Sequence, residues 1–153
     1  MKTKYINPIF DATKSVLQNM IQVEAKKGEL ITRSNPLSAQ KINASIGVTG
    51  DLKGFIYFGM TEETALSVFT RMAGMELDEF DELAGSAIGE LANIITGNSL
   101  TNLSNIGYKC DLTPPSITVG DNIRISTDQP QFLVIPLHTE IGDFEINVSL
   151  KER

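Results

Sequence analysis

Asp78 to Leu103 reads DEFDELAGSAIGELANIITGNSLTNL. Phe80, Leu83, Ala84, Ala87, Ile88, Leu91 and Ile95 recur at three- and four-residue steps, the period of a helix with one buried face. At about 100° per residue with Ser86 as zero, Glu90 falls near +40°, Asn93 near −20° and Gly97 near +20°. Ala84, Ile88, Leu91 and Ile95 cluster on the far side, at about 140° to 200°. The polar stripe therefore faces away from the core, and the Cβ atoms of Glu90 and Asn93, three residues apart, should lie roughly 5–6 Å from one another. A lone Glu or Asn on an outer helix face is ordinarily plain solvated surface. Two details speak for more. Asn93 sits mid-helix although asparagine competes for backbone hydrogen bonds there. Gly89 and Gly97 border the stripe where Lys, Glu or Ala would suit a solvated helix better. Small residues beside a Glu and an Asn leave room for another surface, so the stripe reads as a docking face.

Outward from this helix the chain alternates between helix and strand. Asn7 before Pro8 reads as a cap with proline in the first turn, and Ile9, Phe10, Thr13, Val16, Leu17 and Met20 keep helical period to Ile21. Lys26-Lys27-Gly28 reads as a turn, Glu29 to Thr32 as a short strand, and Ile42 to Val48 with Phe55 to Phe58 as a hairpin about Gly50 to Gly54. That turn lacks the spacing of a phosphate-binding loop and opens onto a strand. Thr61 caps a helix whose buried side is marked by Leu66, Phe69 and Met72 and which Gly74 ends. The long helix starts near Asp78, with a kink or interruption expected at Gly97-Asn98 and period carried on through Ile106. Beyond it come strands only: Tyr108 to Leu112, a small hairpin of Ile117 to Val119 with Ile123 to Ile125, and a last hairpin of Phe132 to Thr139 with Asp143 to Leu150. Pro136 suggests an edge or a bulge. The order predicts an α+β domain, helices packed on a largely antiparallel sheet, with a hint of duplication between halves.

Ser86-x3-Glu90-x2-Asn93, followed by Gly97-Asn98 and later by Pro114-Pro115, resembles the signature of the CheC/CheX family of chemotaxis phosphatases. The resemblance implies the CheC-like fold, pseudo-duplicated halves, and a phosphatase acting on the phosphoaspartate of a CheY-like response regulator. It implies that Asn93 orients the attacking water and that Glu90 pairs with the regulator's active-site Lys. Ser86, Gly97 and Asn98 are implied as partner contacts. No cofactor of its own is implied, Mg²⁺ being held by the regulator. CheC-type members carry the motif on two pseudo-symmetric helices. Here the matching stretch of the first helix reads Asp11-x3-Ser15-x2-Gln18, with Ser where Glu belongs and Gln where Asn belongs. One intact motif is similar to CheX more than to CheC. Two other readings stay open: a non-catalytic module that binds a regulator or a flagellar switch protein, and a plain dimerisation module. Intact Glu90 and Asn93 favour the enzyme.

Composition narrows the classes. A chain of 153 residues is the size of one domain, 1–153, and its 41% hydrophobic and 21% charged content is that of a globular protein. A net charge of −6 argues against nucleic acid or an anionic membrane as partner. No signal-peptide core and no apolar run approaching about 20 residues is present, so a cytoplasmic protein is expected. A single Cys110 forbids an internal disulfide, and one Cys with one His138 leaves too few of the usual ligands for a zinc site. Cys110 reads as a small core residue and His138 as a strand side chain. A homodimer joined through the sheet is expected, with Phe144 to Leu150 as the edge that accepts a partner strand.

Overall fold

A computed structural model describes residues 3–153. A 3-10 turn, Thr3–Tyr5, runs into helix α1, Ile6–Ile21. Short strands β1 (Lys26–Lys27), β2 (Ile31–Ser34) and β3 (Leu37–Ser38) precede the hairpin of β4 (Ile42–Gly50) and β5 (Leu52–Met60). Helices α2 (Glu62–Ala73) and α3 (Glu82–Ser104) follow, then β6 (Cys110–Leu112), β7 (Ser116–Val119) and β8 (Arg124–Ile125). The hairpin of β9 (Gln131–Thr139) and β10 (Gly142–Glu152) closes the chain.

The main sheet is antiparallel in the order β1-β9-β10-β5-β4-β6, with β2 beside β1 along β9 and β7 beside β6 along β4. This order is symmetric about the β10/β5 seam. Helix α1, strands β1 and β2 and the β4–β5 hairpin form one half; α3, β6, β7 and the β9–β10 hairpin form the other; β3 pairs β8 across the divide. The hint of duplication in the element order is therefore a property of the topology. Helices α1 and α3 pack side by side on one face of the sheet, where Val16, Leu17 and Ile21 from one and Ile88, Leu91 and Ile95 from the other meet Ile46, Ile56, Ile135 and Ile146. Burying each such side chain contributes about 1.5–3 kcal/mol. The other face carries a smaller core of Leu37, Tyr57, Phe132 and Val134 beside the β3–β8 pair.

Several local expectations give way to tertiary structure. The turn Thr3–Tyr5 already feeds the helix, so Asn7 lies inside α1 and Tyr5 stands at its cap position without a side-chain hydrogen bond. Lys26 and Lys27 are a strand because His138 and Leu137 pair with them. Ser116–Val119 and Arg124–Ile125 do not pair with each other: the first lies along β4 and the second along β3. Strand β10 is interior, with β5 on one side and β9 on the other, so the expected dimer edge is already occupied. Pro136 is no edge residue either; the strand facing it is broken between Lys27 and Ile31, and only its carbonyl is used there, accepting from Gly28 at 2.8 Å. A missing N–H is tolerated at such an interruption.

Candidate functional site

Asp81 sets where α3 begins. Its backbone is extended (φ −118°, ψ −172°) and its carboxylate accepts the Ala84 N–H at 3.0 Å, while Glu82 sits in the first turn at the positive end of the helix dipole. The expected start near Asp78 moves to Glu82 for this reason. Removing the cap costs about 1 kcal/mol. Phe80, just before the cap, lays its ring 3.7 Å from where a Cβ on Gly85 would stand. The helix then runs unbroken to Ser104, so Gly97-Asn98 does not interrupt it, and Ile106 lies beyond it, 50% exposed.

Ala84, Ile88, Leu91 and Ile95 are the buried side, none more than 3% exposed. Leu83, expected among them, is 52% exposed. At about 60° from Ser86 it belongs to the outer side. On that side Ser86 and Glu90 are exposed and Asn93 and Gly97 half-buried. Asn98 is exposed too, but it stands about 120° round from Ser86 and leaves the stripe. Among the described residues the side chains of Ser86, Glu90 and Asn93 have no hydrogen-bond or ion-pair partner. A carboxylate and an amide one turn apart are thus free for an incoming surface.

The flank of this stripe is built by distant sequence. A Cβ on Gly89 would stand 3.4 Å from Pro115 Cγ, and one on Gly97 would stand 3.9 Å from Leu112 Cδ2. Asn93 lies four residues from each, in the same row of α3, between the glycine beside Pro115 and the glycine beside β6. Gly89 is thus buried beside the chain's own Pro115, and both of them line the open space next to the stripe. A groove of about 620 Å³ runs between α3 and β7, with Ser86 and Glu90 on one wall and Pro115, Ile117 and Val119 on the other. Local periodicity cannot reveal that wall, because β7 pairs with Ile42 to Ser45, far away in the chain.

The other candidates stand apart. On α1, Asp11, Ser15 and Gln18 are all exposed. His138 is exposed on β9, with Nδ1 3.0 Å from Asp143 Oδ1. Cys110 is half-buried on β6, and burial pushes its thiol above the ordinary range, which makes a poor nucleophile. Among the described residues no group of three or more His, Cys, Asp or Glu could hold a metal ion, and no helix is long and apolar enough to cross a membrane. The stripe has no base–nucleophile pair of its own. It can hold, by hydrogen bonds and charge, what another surface brings.

Comparison with known proteins adds to this geometry. The family described as chemotaxis phosphatase CheX matches residues 42–138. The chain is 31% identical over 153 residues to the CheY-P phosphatase CheX of Thermotoga maritima, covering 99% of this chain and 98% of that relative. The crystal structure of CheX from Desulfovibrio desulfuricans superposes with a TM-score of 0.88 at 28% identity, over 97% of this chain and 99% of the other. The CheX-CheY-BeF3-Mg²⁺ complex of Borrelia burgdorferi gives a TM-score of 0.82 at 31% identity, over 99% and 100% of the two chains.

Proposed function

The chain belongs to the CheX family of chemotaxis phosphatases, and from that premise we propose that it hydrolyses the phosphoaspartate of a CheY-like response regulator, with Asn93 orienting the attacking water and Glu90 pairing with the regulator's active-site Lys. A phosphoaspartate is a reactive acyl phosphate held beside the regulator's own cation and Lys. A partner therefore contributes most by placing a water in line with phosphorus. The Asn93 carboxamide is no base, but its oxygen accepts and its nitrogen donates, which is what holding one water requires. Glu90, one turn before it, meets an ammonium on the docking surface. An ion pair desolvated at an interface fixes register more firmly than an exposed one. Ser86 and Gly97 border the contact as binding residues, and Asn98 lies at its margin.

The observation that carries this reading is the unpartnered Glu90 carboxylate and Asn93 amide in one outward row of α3, backed by the β6–β7 connection. In this reading residues 1–153 act as one phosphatase domain, bring no metal or cofactor of their own, and work in the cytoplasm with the regulator. The homodimer remains part of it, moved to a different edge: on one side the main sheet ends at β1 and β2, where Leu30, just before β2, is 36% and Ile31, within it, 37% exposed. The test is to mix the protein with a panel of phosphorylated CheY-like regulators and follow phosphate release. Release from at least one regulator well above its intrinsic rate is expected. Binding to one with release unchanged for all would leave a docking module and overturn the hydrolase.

A further inference from the structure

We propose that the groove between α3 and β7 is a second contact for the same regulator, taking an apolar side chain flanked by a lysine or arginine, and so helps decide which regulator is accepted; this rests on the reading above. Three observations carry it. The first is continuity: Ser86 and Glu90 are themselves one wall of the groove, so a surface that reaches Glu90 must cover its mouth. The second is the apolar surface left open on both sides of that wall, where Leu83 is 52% and Val119 48% exposed and Ile117 is only half-buried. Val119 lies on an edge strand of the sheet, in register with the fully buried Ile42, and about half of its surface stays open to solvent. Exposed apolar residues rimmed by polar ones mark interaction sites.

The third observation is charge. Asp81, Glu82 and Glu90 line the groove, and among the described residues none is in an ion pair. Asp81 is committed to the cap of α3 and Glu90, in the reading above, to the regulator's active-site Lys, which leaves Glu82 for the further cation. A second copy of this chain, with net charge −6, would set the same carboxylates against each other, so a cationic, apolar patch on the regulator fits better.

The experiment uses the full chain and, as probe, whichever CheY-like regulator of a panel charged with acetyl phosphate the wild type accelerates most. Steady-state rates against regulator concentration are compared for wild type, Val119→Lys and Asn93→Ala. Val119→Lys removes the apolar contact and meets the cation with a like charge, on an exposed side chain where lysine leaves the core untouched. A KM raised at least tenfold with kcat within twofold, at an unchanged melting midpoint, is expected. A KM within twofold of wild type overturns the groove contact while leaving the roles of Glu90 and Asn93 as they stand. Asn93→Ala with full kcat, beside a raised KM for Val119→Lys, would overturn the chemistry and support the groove. A wild type that accelerates no regulator overturns both. Should Val119→Lys fail to fold, Val119→Ser decides, with at least a threefold rise in KM expected and no rise overturning the contact.

Discussion

Helices α1 and α3 occupy matching places in the two halves of the sheet. Inside, Leu17 at 1% exposure and Leu91 at 3% enter the same core. Outside, α1 presents Asp11, Ser15 and Gln18 at the spacing where α3 presents Ser86, Glu90 and Asn93. Their surroundings differ as well. The groove beside Gln18 is lined by Gln22, Glu24, Lys26 and His138, whereas the one beside Glu90 has the apolar wall of Pro115, Ile117 and Val119. Packing constrains the inner faces alike, and the outer faces are free to diverge. Function is therefore to be sought in the outer difference.

The largest expected effects test the likeness. Leu17→Ala and Leu91→Ala should each lower unfolding free energy by about 2–5 kcal/mol in urea titrations. A cost below about 1 kcal/mol for one of them would mean that the two helices do not share the core equally. The outer faces should then separate sharply. Glu90→Gln is expected to weaken binding to the phosphorylated regulator roughly 30-fold, about 2 kcal/mol, while Ser15→Ala leaves it unchanged. Equal small effects from both in a binding titration would remove Glu90 from the contact. The smallest effect is a regain. Ser15→Glu with Gln18→Asn, placed in the Asn93→Ala background, should restore less than a tenth of wild-type dephosphorylation, because the groove beside Gln18 is lined by polar side chains where α3 has the Pro115 to Val119 wall. Full restoration would show that the two side chains suffice and the wall does nothing.

The same contrast explains what was legible in the sequence. The outward row of Glu90 and Asn93 follows from helical period alone, and the two caps of α2 follow from residue type, Thr61 accepting the Thr64 N–H at 3.1 Å and Gly74 ending the helix in the left-handed region at φ 72°, whereas the cap expected at Asn7 gives way to the preceding 3-10 turn. Partner choice between strands is not local. Ile117 to Val119 and Ile123 to Ile125 looked like a hairpin because they are neighbours in the chain, yet each pairs with a strand some distance away. Alternation in Phe144 to Leu150 marks the side that faces the helices but says nothing of the strands on either flank. Asn147 and Ser149, on its other side, are fully buried as well, with Ser149 Oγ 2.6 Å from Thr127 Oγ1. The polar stripe could be read from local sequence, and the wall beside it could not.

The central claim is that α3 carries the chemistry and α1 does not, and it is tested most directly by removing one amide from each. Phosphate release from the phosphorylated regulator should fall to its intrinsic rate with Asn93→Ala, at an unchanged melting midpoint because that side chain makes no hydrogen bond among the described residues, and should stay at the wild-type rate with Gln18→Ala. Wild-type acceleration by a folded Asn93→Ala protein, or its loss with Gln18→Ala, would contradict the account.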